Sequence, residues 1–306
     1  MKNQESEVVA LGIRRRVFEH TIRNNGGYLS QACSAADTLA VLYEDVLNLG
    51  PSIAPAIPAP FGGVPSPDNP NSFTGAGYHG EFAPHYDRFI ISPAHYALVF
   101  YAALIEVGRM APEGLKMFNK DGSSVEMIGA EHSPGMEVTN GSLAQGLSMA
   151  SGIAFARKRR GDEGRVFVYM SDGEFEEGQT WECFANMAHH KINNVTCVVD
   201  FNAQQCDGAM SAVTEIGDLV AKLKAFGADA VMVDGHDHEA LREAMNRRSE
   251  DGPVVVIAKT SPYEGMDYLQ KRFPRLHYVR FTSEDEKIEL RDAIAEQLGV
   301  NVAEIE

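Results

Sequence analysis

Basic residues are scarce: 27 Lys and Arg stand against 43 Asp and Glu in 306 residues, a net charge of −16. Such a chain repels a phosphate backbone, so nucleic-acid binding is not expected. Cysteine is scarcer still. Four residues with no C-x-x-C pair argue against a disulfide framework or a structural zinc site and for a reducing, cytoplasmic setting. No stretch approaches about eighteen uninterrupted apolar residues. Met1 to Glu7 carries charges of both signs with no apolar run behind it, so neither a membrane span nor a secretory leader is expected. Internal repeats are absent too. The acidity sets a condition: a phosphorylated ligand would need its charge met locally by a metal ion, backbone N–H groups or a few basic side chains.

Hydrophobic residues make up 44% of the chain, enough to bury a core in one large α/β domain or two smaller ones. Val8, Val9, Leu11, Ile13, Val17 and Phe18 recur at helical spacing within Glu5 to Thr21, as do Leu39, Leu42, Tyr43 and Val46 within Ser34 to Leu47. Proline at 51, 55, 58, 60, 65, 67 and 70 forbids regular structure there. Phe61, Phe73, Tyr78 and Phe82 supply apolar anchors, so 51–70 reads as an ordered loop within a single domain over 1–306.

From Gly141 the pattern becomes regular. A helix through Leu143 to Arg159 precedes the apolar run 166–170; a second helix carries Trp181, Phe184, Ala185, Ala188 and Ile192 toward the run 195–199. Runs at 230–233 and 254–258 flank a helix at 239–248, and 284–306 reads as a terminal amphipathic helix. This alternation predicts an α/β fold, a parallel sheet with helices on both faces. Ligands in such sheets bind beyond the carboxyl ends of the strands, where Asp172 and Asn202 fall.

Those two residues sit in Ser171-Asp172-Gly173-Glu174-Phe175-Glu176-Glu177-Gly178 and in Asp200-Phe201-Asn202-Ala203-Gln204-Gln205-Cys206-Asp207-Gly208. A carboxylate at one strand end and an amide oxygen at the next offer a hard cation two oxygen ligands, to which a diphosphate can add more. Gly173 would allow a tight turn and close approach of a ligand, with the following helix aiming N–H groups at anions. By itself Asp-Gly after a strand is an ordinary turn.

The full pattern resembles the thiamine-diphosphate signature of the transketolase family, with Ser171 in place of the opening glycine. That resemblance implies a pyrophosphate-domain fold and a Mg²⁺ or Ca²⁺ held by Asp172, the Asn202 side chain and the Gln204 carbonyl. Other stretches follow in the order of the family. Asp87 to His95 resembles its strand and loop ending in an active-site histidine. Pro134-Gly135 and Glu137 to Gly146 resemble the segment lining the cofactor, where Gly141, Ser142 and Leu143 would offer backbone groups. Lys259-Thr260 with His277 resembles the strand-end loop carrying another active-site histidine, with Tyr278 where a glycine is usual. Gly173 and Glu174 belong to the implied cofactor site, along with His95 and His277.

Two histidines of the family pattern are missing. Arg23-Asn24-Asn25-Gly26-Gly27 stands where Gly-His-x-Gly-Gly is usual, and Ile128-Gly129-Ala130-Glu131-His132 where Gly-His-Pro is usual. Either His132 takes over as a catalytic residue or the pocket has changed. His236 reads as structural. Glu177 reads either as a contact to a partner chain or as a first-turn residue favoured by the helix dipole.

The resemblance implies a transketolase subunit dependent on thiamine diphosphate and a metal, moving a two-carbon ketol unit from a phosphorylated or otherwise acidic ketose to an aldose. His95, His277 and His132 are its candidate catalytic residues. The family's pyrimidine-binding domain has no counterpart in these residues. A separate C-terminal subunit carrying it is therefore expected, in an α₂β₂ assembly, with the chain inactive alone. Alternative readings are the α subunit of a 2-oxo acid dehydrogenase and a non-catalytic cofactor-binding subunit.

Overall fold

Strand residues alternate between two cores. Phe167 and Tyr169 pack to one side while Val166, Val168 and Met170 pack to the other, and Val254, Val256 and Ala258 oppose Val255 and Ile257 in the same way. In this computed structural model, which describes residues 2–64 and 66–305 with side chains from Glu5 onward, five parallel strands form the sheet. They are β1 (Arg88–Ile91), β2 (Val166–Ser171), β3 (Val195–Phe201), β4 (Asp229–Asp234) and β5 (Val254–Lys259), in spatial order β1-β2-β3-β5-β4. The register sets Ser171 of β2 beside Asp200 of β3, and Asp200 beside Ala258 of β5.

One face is covered by α1 (Lys2–Arg23), α2 (Leu29–Val41), α3 (Ala97–Glu106), α7 (His238–Met245) and α8 (Glu284–Leu298). The other is covered by α4 (Gln145–Arg160), α5 (Gly178–His189) and α6 (Leu219–Ala225). The connections β2-α5-β3 and β3-α6-β4 run outward on one face, while β4-α7-β5 returns on the other, as right-handed crossovers require when direction reverses. No helix among the described residues is long and apolar enough to cross a membrane.

The expected strands at 166–170, 195–199, 230–233 and 254–258 are present within two residues of those bounds. Three expectations need correction, and one helix, α3, was not expected at all. α2 begins at Leu29, because the buried polar residues Ser30 and Gln31 interrupt the apolar pattern that marks its later turns. α3 is apolar on every side and buried from Ala97 to Ile105, so it shows no amphipathic period. The terminal helix stops at Gly299, which adopts the left-handed conformation. Of the expected anchors around the proline-rich segment Tyr78 is buried in the core, whereas Phe61 and Phe82 are exposed, and polar contacts add to the hold: Tyr78 donates to the Pro55 carbonyl (2.8 Å), Phe61 N–H to Gly122 (2.9 Å) and Ala111 N–H to Ala56 (2.7 Å).

Glu137 secures the loop that precedes α4. Its fully buried carboxylate accepts the Phe89 N–H (3.0 Å), faces His79 Nδ1 (3.0 Å) and pairs with Arg88. Burial pushes its pKa up, but His79, Arg88 and the Phe89 N–H outweigh burial and hold the group below its usual value. Removing one partner of a buried pair costs about 3–5 kcal/mol, so Glu137→Ala is expected to lose that much stability in denaturant unfolding. A loss under about 1 kcal/mol would contradict this role.

Candidate active site

The carboxyl ends of β2 and β3 open on a cleft of about 390 Å³. Asp172, Gly173, Asn202 and Gln204 form its floor; Ser30 and Gln31 enter from α2, His95 and Tyr96 from the turn after β1, Leu143 from the loop before α4, and His277 from beyond β5. The Asp172–Asn202 pair thus occupies adjacent strand ends within one cleft.

Asp172 is 2% exposed, and its carboxylate accepts N–H groups from Gly173 (2.8 Å) and Ala203 (2.7 Å). Burial, then the charge of Asp200, pushes its pKa up to about 8. Asp200 is itself buried and raised for the same leading reason. Among the described residues no lysine or arginine lines the cleft.

Two non-glycine residues adopt the left-handed conformation here, Ala144 (φ 67°) and Ala203 (φ 56°). Both are held by the turn after β2. Asp172 takes the Ala203 N–H, and Glu174 takes the Ala144 N–H (2.7 Å), the Ser171 N–H (2.8 Å) and the Ser92 hydroxyl. Glu174 is therefore folded into the interior and does not line the cleft, contrary to its place in the expected cofactor set. The turn itself is a 3₁₀ segment, Asp172–Glu176, and α5 begins only at Gly178. Gly173 does not adopt the left-handed conformation; a side chain there would meet no neighbour within 4 Å and would enter the cleft.

The His95 and His277 rings lie 5.2 Å apart. Burial, then His277, lowers the His95 pKa to about 3; burial also lowers His277, against the opposing charge of Asp207. Both imidazoles are accordingly neutral at neutral pH. His132 lies elsewhere. Its Nε2 faces Glu126 (3.1 Å), its ring rests on Phe61 at 4.4 Å, and it does not line the cleft, so the structure assigns it a loop-packing contact rather than a place beside His95. Gly141 and Ser142 lead into Leu143 without lining the cleft themselves. Asn24 turns back on its own helix to the His20 carbonyl (2.8 Å).

Sequence reasoning assigned no role to Tyr28, Tyr96 or Asp200. Tyr28 meets Tyr278 at 4.8 Å and His277 at 5.7 Å, brought there by pairing of Gly26–Gly27 with Val279–Arg280. Asp200 does stand in the quoted motif, two positions before Asn202, but nothing in its spacing marks it as buried. His236 contacts Asp37 (2.7 Å) and accepts the Ser261 N–H (2.8 Å), a structural position.

The residues fit a divalent cation and a diphosphate. Asp172 is a desolvated carboxylate beside a second one, and the Gln204 side-chain oxygen is buried with no hydrogen-bond partner. No cluster of three or more His, Cys, Asp or Glu among the described residues is arranged to hold a metal, so oxygens from a bound anion would have to complete this one.

A parallel sheet with helices on both faces and an acidic strand-end cleft defines an α/β domain suited to a metal-bound diphosphate. Residues 81–266 match the transketolase thiamine diphosphate binding domain. Over 289 residues the chain is 33% identical to the transketolase family protein y4mO of Sinorhizobium fredii, covering 91% of this chain and 94% of that protein. Over 277 residues it is 30% identical to a protein of Actinobacillus succinogenes named as one subunit of an apulose-4-phosphate transketolase, covering 90% of each. The crystal structure of transketolase from Campylobacter jejuni matches with a TM-score of 0.78 at 20% identity, over 98% of this chain but 43% of that one. This chain belongs to the transketolase family and spans less than half the length of that transketolase.

The buried neutral state of His95 has a measurable consequence. Its folded pKa lies below the unfolded value, so as pH falls from about 6.5 toward 3 the unfolded chain binds a proton that the folded chain refuses. Stability is expected to decline over that window, and His95→Gln should make the decline shallower. An unchanged slope in pH-dependent unfolding would refute the assignment.

Proposed function

We propose that this chain is the thiamine-diphosphate-binding subunit of a two-subunit transketolase. It transfers a two-carbon ketol unit from a phosphorylated or otherwise acidic ketose to an aldose, in the cytoplasm, with a separate subunit supplying the pyrimidine-binding domain in an α₂β₂ assembly. The observation that carries this reading is the Asp172–Asn202 pair in one cleft with His95 and His277, in a chain of family membership that spans 43% of a full transketolase. The name of the Actinobacillus relative, which makes it one subunit of a transketolase, supports the divided arrangement.

Asp172, the Asn202 side chain and the Gln204 carbonyl would hold Mg²⁺ or Ca²⁺, with the diphosphate as its remaining ligand. From the Gly141 to Leu143 segment, Leu143, which lines the cleft, would meet the cofactor, and Gly173 leaves room for it. Thiamine diphosphate, when bound, supplies the electron sink through which a C–C bond beside a carbonyl is broken and remade. His95 and His277, kept neutral by burial, can each donate one N–H and accept one proton at the hydroxyl and carbonyl oxygens of the donor sugar. Tyr96 and Leu143 are among the residues that wall the cleft around that exchange.

The test is reconstitution with the partner subunit. The chain alone is expected to show no two-carbon transfer, and the mixture to show it. His95→Ala and His277→Ala should each lower kcat by about 10²-fold or more while cofactor affinity stays within a few-fold. Turnover by the isolated chain, or full rates in both variants, would sink the proposal.

A further inference from the structure

Asp200 is wholly buried at the end of β3, lies below the cleft and does not line it. Its Oδ2 accepts the hydroxyls of Ser34 (2.6 Å) and Tyr96 (2.7 Å) and the Asn202 Nδ2 (3.1 Å); its Oδ1 accepts the Thr260 hydroxyl. All four donors are uncharged, and no ion pair among the described residues includes Asp200. Four donors on two oxygens require an acceptor-only group.

The consequence falls on Asn202, whose amide has two possible orientations. Its nitrogen sits among three acceptors: Asp200 Oδ2, the Tyr96 hydroxyl oxygen (3.2 Å) and Ser34 Oγ (3.3 Å). Turned over, the amide would press its oxygen against a carboxylate and two oxygens whose protons already point at that carboxylate. The orientation is therefore fixed by the network. The oxygen Oδ1 faces away, takes the Gln204 N–H (2.9 Å) and keeps a second lone pair for the cleft.

We propose that Asp200 is a positioning residue for the cation and diphosphate site: it locks the Asn202 amide with its oxygen toward the ligand, without touching the ligand itself. The proposal rests on the reading of Asn202 as a cation ligand. Ser34 and Tyr96, from α2 and the segment carrying His95, meet both this carboxylate and the Asn202 nitrogen, whereas Thr260, at the end of β5, meets the carboxylate alone.

The test measures thiamine diphosphate binding to the reconstituted complex by calorimetry over a series of Mg²⁺ concentrations. Asp200→Asn keeps the shape but leaves a single uncharged acceptor oxygen where a carboxylate ordered four donors, loosening its hold on the Asn202 nitrogen, and should raise the half-saturating Mg²⁺ by about 10–100-fold. The double variant Asp200→Asn with Asn202→Asp exchanges the two groups, so the new amide donates to a carboxylate that again offers oxygen to the cation; it should recover most of the loss. Thr260→Val removes a different bond to Asp200 and should lower the unfolding temperature while leaving the Mg²⁺ dependence alone. Unchanged binding in Asp200→Asn overturns the proposal, as does an equal loss in Thr260→Val or a double variant that recovers nothing. A wild-type complex that binds the cofactor without any Mg²⁺ dependence overturns the cation-site reading and this proposal with it.

Discussion

Two carboxylates without basic partners at adjacent strand ends dominate this molecule. Asp172 and Asp200 lie at the carboxyl ends of β2 and β3, both removed from water, and neighbouring backbone N–H groups, hydroxyls and the Asn202 amide compensate them. Hydrogen bonds satisfy individual oxygens, but they do not cancel two like charges in a poorly solvated site. Burial first, and the charge of Asp200 second, push the Asp172 pKa up to about 8. In the proposed site a divalent cation would offset these charges at source, and a diphosphate would have its charge met by that metal rather than by lysine or arginine.

The same carboxylates shape the surrounding backbone. Ala144 and Ala203 hold left-handed conformations that cost an alanine about 1–2 kcal/mol, and each is secured by a carboxylate of the 172–174 turn. The loop before α4 and the segment after β3 are thus tied to one short 3₁₀ turn. α2 extends the arrangement inward. It is buried along its whole length, yet Ser34, Asp37 and Thr38 each bond to another element, to Asp200, Arg14 and Tyr169 respectively. Packing and site geometry depend on the same side chains there.

What the sequence made legible follows from this organisation. Strands buried on both faces read as uninterrupted apolar runs, so 166–170 and 254–258 were evident, and with them the strand ends that carry Asp172 and Asn202. α3 escaped notice because total burial removes the periodicity by which helices are recognised. Local motifs located His95, His277 and the Asp172 turn, but could not tell which side chains face the cleft. Glu174 lies two positions from Asp172 and turns inward, because a 3₁₀ turn does not share the direction of the α-helix that was expected there. His132 depended on loop register, which only the contacts with Glu126 and Phe61 reveal. Tyr28 and Tyr278 meet across a two-residue ladder joining segments about 250 positions apart, beyond the reach of any local pattern.

The central claim is that one cation sits between the Asp172 carboxylate and the Asn202 amide oxygen and carries the cofactor's diphosphate. A crystal structure of the reconstituted complex with thiamine diphosphate and Mn²⁺ in place of Mg²⁺, recorded at a wavelength where manganese scatters anomalously, tests this most directly. The account predicts one anomalous peak in contact with both side chains and with the diphosphate oxygens. Bound cofactor with no peak there, or with the metal held by other residues, would contradict it.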